Sequence, residues 1–134
     1  MQFTSPTRRS RPCGQIRLLV ADDRERARRA LCALLGTCPD LVVVGEAAGG
    51  AEGIELVARE QPDVVLMDLR MPDLDGLQAT IRIKQSWPRV RVLVLSLAVE
   101  ARDEALAAGA DAFVAKGDPE DVLLETIRKL ARAR

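Results

Sequence analysis

Short apolar runs alternate with helical patterns along almost the whole chain, and this alternation constrains the fold more than any other feature. Continuous apolar runs of this kind are typical of strands buried on both faces, as in a parallel sheet. Strands with one solvated face would show polar residues at every second position instead. The five runs are Ile16–Ala21, Leu41–Val44, Val64–Met67, Val90–Leu95 and Ala112–Ala115.

Helical patterns fill the intervals between the runs. Gly36 is predicted to end the first helix in a left-handed conformation. The segment Glu100–Ala108 is rich in alanine, and Gly109 follows it as a stop. Asp118 is predicted to be the N-cap of the last helix, with Pro119 at the first helical position and acids in the first turn. The apolar residues at helical spacing are Ala27, Leu31, Leu34, Leu35, Ile54, Val57, Ala58, Leu77, Ile81, Val122, Leu123, Ile127 and Leu130.

Five β-α repeats predict an α/β fold of the doubly wound type. Strands that alternate with helices form a parallel sheet covered on both faces, and right-handed crossovers leave few topologies. For 134 residues we expect one flavodoxin-like (βα)5 domain whose five-stranded sheet has the order 2-1-3-4-5. Such folds place their sites beyond the carboxyl ends of the strands, near the point where the strand order reverses.

The predicted domain covers residues 16–134, and residues 1–15 form a predicted flexible arm. The arm is rich in Ser, Thr, Pro and Arg, and Arg8, Arg9 and Arg11 make it basic. We interpret the arm as a solvated tail, with weak binding to nucleic acid or to an acidic partner as the alternative.

Composition excludes several functional classes. The net charge of +0 gives no global field that would attract nucleic acid or an anionic membrane. One Trp and two Phe are too few aromatic rings for a base-stacking surface. The chain has no His, and Cys13, Cys32 and Cys38 match no zinc pattern. With neither a signal-peptide core nor a run of about 20 apolar residues, we expect a soluble, cytoplasmic protein without a membrane partner.

Polar side chains stand where the predicted strands end. Asp22 and Asp23 follow the first strand, Asp68 follows the third, Ser96 follows the fourth and Lys116 follows the fifth. Because parallel strands have their carboxyl ends on the same side, we expect these side chains to converge on one crevice.

Three neighbouring carboxylates repel one another and need a cation. Oxygen ligands of this kind suit Mg²⁺, and without His or suitable Cys ligands a softer metal is not expected. An aspartate beside such an ion can act as a nucleophile toward phosphorus and form an aspartyl phosphate. Lys116 would offset charge on the phosphoryl oxygens, and Ser96 would donate a hydrogen bond to the same group.

Four segments of the chain closely resemble the receiver domain of two-component response regulators. They are LVADD at 19–23, MDLRMPDLDG at 67–76, Ser96, and AGADAFVAK at 108–116. The resemblance runs from Ile16 to about Ala133. By this resemblance Asp68 would be the phosphoacceptor, and Mg²⁺ would be bound by the side chains of Asp22, Asp23 and Asp68 and by the backbone carbonyl of Arg70.

The resemblance also implies roles for three other residues. Lys116 would pair with the phosphoryl group, while Ser96 and Phe113 match the hydroxyl and aromatic positions that rearrange on phosphorylation. The Arg70 signature and the last repeat look like the subfamily whose members often carry a helix-turn-helix output domain. No DNA-binding domain is predicted in this chain, since nothing after Ala131 could form a helix-turn-helix.

Each predicted site residue also has an ordinary structural interpretation. Asp22 and Asp23 can cap the helix that follows them, and Ser96 can be a strand-end serine. Phe113 can simply pack in the core, and Lys116 can lie on the surface. The coincidence of polar groups at four strand ends favours the functional interpretation.

The leading hypothesis is a phosphorylation switch and not a turnover enzyme. Its donor would be a sensor histidine kinase or a phosphotransfer protein. Its output would pass through the face formed by helix 4, strand 5 and helix 5, by way of a homodimer or an output protein bound to residues 97–130.

Two alternatives belong to other functional classes. The segment between Ser96 and Gly109 is shorter than in typical receivers, and its beginning, Leu97 to Val99, is more apolar. This favours a pseudo-receiver, an interaction module that keeps the pocket but does not switch. An aspartate-based phosphatase is the other alternative, but such enzymes generally use a second aspartate two residues after the nucleophile, where this chain has Arg70.

Overall fold

The computed structural model describes residues 14–71 and 73–133. The predicted basic arm, residues 1–15, lies outside the described residues except for its last two positions. Within the described part, no helix is both long enough and apolar enough to span a membrane.

The described residues alternate strictly between strands and helices, as the apolar runs predict. Only the interval before α4 contains a second helical element, a 3-10 turn at Val99–Ala101. The elements are β1 (Ile16–Ala21), α1 (Glu25–Gly36), β2 (Leu41–Ala47), α2 (Gly50–Glu60), β3 (Val64–Asp68), α3 (Gly76–Ser86), β4 (Arg91–Ser96), α4 (Arg102–Ala107), β5 (Ala112–Ala115) and α5 (Glu120–Arg132).

All neighbouring strands pair in parallel, and the sheet has the order β2-β1-β3-β4-β5. The predicted doubly wound α/β fold is therefore confirmed. The strand order reverses between β1 and β3, so the loops that follow these two strands leave toward opposite faces of the sheet. The diverging loops leave a crevice at the carboxyl end of the sheet, and Asp22 and Asp68 lie beside it.

Each face of the sheet is covered by its own apolar cluster. Leu56, Val57, Ala79, Ile83 and Ala105 of α2, α3 and α4 belong to one cluster. Leu35, Leu123 and Ile127 of α1 and α5 belong to the other. The strands supply both clusters, and this explains why their sequences are apolar without alternation.

Two predictions about helix ends are wrong in part. Gly36 is the last residue of α1, as predicted, but it does not adopt a left-handed conformation. Thr37 is the C-cap, and its hydroxyl donates to the Leu34 carbonyl at 2.7 Å. Asp118 is not the N-cap of α5, because its amide donates to the Ala115 carbonyl and closes a turn. Pro119 is the N-cap instead, with ψ of 149°. Gly109 has the left-handed φ of 107° expected of a helix stop.

Candidate functional site

Three carboxylates meet at the carboxyl end of the sheet. Asp22 and Asp23 directly follow β1, and Asp68 is the last residue of β3. One carboxylate oxygen from each lies within 4.8 Å of the others. Asp22 and Asp68 are buried, at 4% and 8% exposure, whereas Asp23 is exposed. Carboxylate oxygens at this spacing fit a divalent cation that prefers oxygen ligands.

Lys116 reaches this cluster from the loop after β5. Its ammonium nitrogen lies 3.3 Å from Asp22 Oδ2 and 3.4 Å from Asp68 Oδ1. The backbone fixes the position of the lysine, since its amide donates to the Ser96 carbonyl at 2.9 Å. The predicted convergence of β1, β3 and β5 residues is thus present in the fold.

Burial and charged neighbours both affect the ionisation of Asp68. The pKa of its carboxyl group is raised, first because burial disfavours the charged form. Lys116 opposes this shift, while the neighbouring charges of Asp22 and Asp23 add to it. Burial is thus the main cause of the shift, and a bound cation would favour the charged form of this buried carboxyl group.

The loop after β1 is held by main-chain contacts. The amide of Asp22 donates to the Ala47 carbonyl at 3.0 Å. Asp22 Oδ1 accepts a hydrogen bond from the Arg24 amide at 3.0 Å. One oxygen of this carboxylate thus stabilises its own loop, and the other oxygen contacts Lys116.

Ser96 lies at the same end of the sheet, but its hydroxyl is engaged locally. It is the last residue of β4 and is 3% exposed. Its Oγ accepts a hydrogen bond from the Ala98 amide at 3.0 Å. This contact uses an acceptor lone pair of Oγ, so the hydroxyl proton is not engaged by it and could be donated to a group on Asp68.

Arg70 and Phe113 have different surroundings. Arg70 is exposed in the loop that follows Asp68. Phe113 is 9% exposed and packs in the apolar cluster that includes Val94, Ala105 and Ala110. Its ordinary role in core packing is therefore evident, and its role in switching stays a prediction.

Arg28 supports the site, although sequence reasoning did not select it. Its Nη1 donates to the main-chain oxygen of Asp22 at 2.8 Å, and its Nε donates to Glu46 at 3.1 Å. Arg28 precedes Leu31 and Leu35 by three and seven positions, on the face of α1 that turns toward the sheet. A charged residue on such a face is unusual, and this was the available signal.

The comparisons with known proteins agree with this fold and this arrangement. Residues 18–128 match the response regulator receiver domain family. The response regulator protein VraR of Staphylococcus aureus is 38% identical over 119 residues, which cover 87% of this chain and 57% of VraR. The chain therefore spans little more than half the length of this curated relative.

Solved structures show the same similarity. The response regulator domain of Thermotoga maritima CheB has a TM-score of 0.82 and 33% identity, covering 90% of this chain and 98% of the other. A two-component response regulator of the LuxR family from Aurantimonas sp. SI85-9A1 has a TM-score of 0.85 and 30% identity, covering 90% and 87%. Together, the fold and the acidic cluster define a two-component signalling module. The chain belongs to the response regulator receiver domain family.

Proposed function

We propose that Asp68 accepts a phosphoryl group, in a Mg²⁺-dependent transfer from a sensor histidine kinase or a phosphotransfer protein. The cluster of Asp22, Asp23 and Asp68 with Lys116 at one end of the sheet supports this proposal most directly. A module of this kind would work in the cytoplasm, where such kinases present their phosphoryl groups.

In the proposed transfer, a carboxylate oxygen of Asp68 attacks the phosphorus atom. The new O–P bond forms as the P–N bond to the donor histidine breaks, and the imidazole nitrogen keeps the bonding electron pair. Lys116 would exchange its contact with Asp68 for one with a phosphoryl oxygen. Ser96 would donate its hydroxyl proton to another phosphoryl oxygen.

The described residues also suit the cation that this reaction needs. The side chains of Asp22, Asp23 and Asp68, together with the Arg70 carbonyl, would hold Mg²⁺, which neutralises charge on the phosphoryl oxygens. We propose a switch and not a turnover enzyme, because Arg70 stands where a phosphatase would need its acid. Sustained hydrolysis of a generic phosphomonoester by the purified protein would contradict this.

The output would pass through α4, β5 and α5, toward a second copy or another protein. Large apolar side chains are exposed on this part of the molecule: Leu97 is 67% exposed, Val99 59%, Leu106 38% and Val122 37%. Exposed apolar residues that lie close together mark interaction surfaces in soluble proteins.

Incubation with acetyl phosphate and Mg²⁺ tests the chemistry. We expect the intact mass of the wild type to rise by one phosphoryl group and that of the Asp68→Ala variant to stay unchanged. Glu55→Gln, an exposed change on α2, is the control and should be modified like the wild type. A wild type that takes up no phosphoryl group in acetyl phosphate or from any kinase would sink the proposal.

The segment before α4 favours a second candidate, the pseudo-receiver. There a 3-10 turn leads into a helix of six residues, which is shorter than the other helices of the described chain. Amide exchange across residues 97–130, with and without a beryllofluoride mimic, distinguishes the two candidates. A change in protection favours a working switch. Mimic binding without any change favours the pseudo-receiver.

A further inference from the structure

Asp73, in the loop that follows Asp68, accepts hydrogen bonds from the start of a neighbouring helix. Asp73 Oδ1 accepts a hydrogen bond from the Gly50 amide at 3.1 Å, and Oδ2 accepts one from the Ala51 amide at 3.2 Å. These are the first two residues of α2, whose N-cap is Gly49. Glycine has no side chain that could cap the helix. Asp73 therefore supplies, from another loop, the acceptor that a local Ser or Asp would ordinarily provide.

The two loops fit closely at this point. A Cβ atom at Gly49 would lie 2.6 Å from Asp73 Oδ1, and one at Gly50 would collide with the Leu74 carbonyl oxygen. Gly53, one turn further along α2, has only ordinary contacts, since its Cβ would lie 3.7 Å from Ala21. The close approach is thus specific to the start of the helix.

The charge of Asp73 suits this position. The pKa of its carboxyl group is lowered, first by the Leu74 amide and then by the amides of Ala51 and Gly50. An ionised carboxylate at a helix N-terminus also interacts favourably with the helix dipole. The contact is therefore made by the charged form that prevails at neutral pH.

The same loop carries Arg70, whose carbonyl is assigned to Mg²⁺ in the proposed function. The loop is fixed elsewhere as well. The Leu69 carbonyl accepts from the Gly76 amide at 3.0 Å, and the buried Met71 packs in the core. Asp75 caps α3 through the Gln78 amide at 2.9 Å. These contacts bind the loop to its own strand, core and helix, whereas Asp73 binds it to α2.

We propose that Asp73 is a positioning residue for the phosphoacceptor site. It holds the described residues of this loop, 69–71 and 73–75, against α2, so that the Arg70 carbonyl is already in place when the cation binds. The inference rests on the proposed function. Its consequence is that loss of the Asp73 carboxylate weakens cation binding, although every side chain that touches the cation is unchanged.

Two variants separate positioning from simple helix capping. Asp73→Ala removes both the cap and the tie between the loop and α2. In the double variant Gly49→Ser/Asp73→Ala, serine caps α2 locally, and its Cβ occupies the space that the aspartate leaves. Glu55→Gln, an exposed change on the same helix, controls for the loss of one negative charge. Calorimetric titration with Mg²⁺ alone gives Kd, thermal unfolding gives Tm, and acetyl phosphate gives the phosphorylation rate.

We expect Asp73→Ala to weaken Mg²⁺ binding about tenfold, the lower limit for residues that support metal ligands, and to lower Tm. The double variant should recover Tm and keep the weakened Kd. Recovery of both would show that Asp73 only caps the helix. A wild-type Kd in Asp73→Ala would also overturn the inference. A wild type that neither binds Mg²⁺ nor takes up a phosphoryl group would instead overturn the proposed function, and this inference with it.

Discussion

The two ends of the sheet hold their carboxylates in opposite ways. At the carboxyl end, Asp22, Asp23 and Asp68 approach one another within 4.8 Å. Lys116 contacts two of them, at 3.3 and 3.4 Å. Negative charge therefore exceeds positive charge where the fold forms a crevice. This end of the molecule could hold a ligand that brings positive charge.

At the amino end of the sheet, carboxylates accept hydrogen bonds from cations and from main-chain amides. Asp111 accepts from Lys84 at 2.9 Å and from the Val92 amide at 2.8 Å. Asp63 accepts from the Arg17 amide at 2.8 Å. These charges stabilise the fold. Burial alone therefore does not mark a carboxylate as functional. A functional site is indicated where the charge of the carboxylate is also left uncompensated.

The largest effect on stability is expected at the amino end. Asp111→Ala should lower the free energy of unfolding by about 2 kcal/mol, because it leaves a strand amide without its acceptor and leaves the half-buried Lys84 ammonium with main-chain carbonyls in place of a carboxylate. Urea unfolding measures this. Asp103→Ala, an exposed change in α4, is the matched control and should have little effect. The Mg²⁺ affinity of Asp111→Ala should equal that of the wild type. A clear loss of affinity would show that the two ends are not independent.

The opposite sign is expected at the carboxyl end. Asp68→Asn should raise the free energy of unfolding in EDTA by about 1 kcal/mol, since it removes a charge that burial and the neighbouring carboxylates disfavour more than Lys116 favours it. The same change should abolish phosphorylation. Saturating Mg²⁺ should stabilise the wild type and leave the variant nearly unchanged. If Asp68→Asn were less stable than the wild type in EDTA, the carboxyl end would not hold uncompensated charge.

Arg28 lies between these two cases, because it stabilises the fold and also holds the loop of Asp22. Arg28→Gln should lower the free energy of unfolding by about 0.5 to 1 kcal/mol, the range of an ordinary hydrogen bond to a partly exposed partner. It should also weaken Mg²⁺ binding. Arg29→Gln is the control on the same helix, since the Arg29 side chain is 73% exposed. Equal effects of the two substitutions would remove Arg28 from the support of the site.

The carboxyl end could be predicted from the sequence, and the amino end could not. Parallel strands bring their ends together by geometry, so finding five apolar runs was enough to place Asp22, Asp68 and Lys116 near one another. The partners at the amino end are 27 residues apart for Lys84 and Asp111 and 46 for Arg17 and Asp63. In the sequence such residues resemble solvated charges, and their partners become evident only when the folded chain brings them into contact.

Finer details of the site depended on local backbone geometry. The engagement of Ser96 with the Ala98 amide is a loop contact that no spacing predicts. The same is true of Asp73, which looked like one acid among several in a loop. The left-handed conformation predicted for Gly36 and the N-cap predicted at Asp118 were wrong, because a helix can end or begin in more than one local backbone geometry.

The smallest effect concerns an exposed pair at the amino end. Arg128 donates to both carboxylate oxygens of Asp40, at 2.8 and 3.0 Å, and these hydrogen bonds are the main reason that the pKa of Asp40 is lowered. A folded-state pKa below the unfolded value of about 3.9 means that the pair stabilises the fold above that pH. The stabilisation is lost as the pH falls through the folded pKa.

The side chains of Asp40 and Arg128 are 40% and 34% exposed. Because water screens a pair this exposed, its contribution to the free energy of unfolding should be below about 0.5 kcal/mol. Urea unfolding of the wild type and Asp40→Asn, followed from neutral to acidic pH, measures this. The difference between the two should be small at neutral pH and vanish in acid. An Asp40→Asn variant more stable than the wild type at neutral pH would show that Asp40 carries uncompensated charge, as Asp68 does, and the contrast between the two ends of the sheet would fail at this residue.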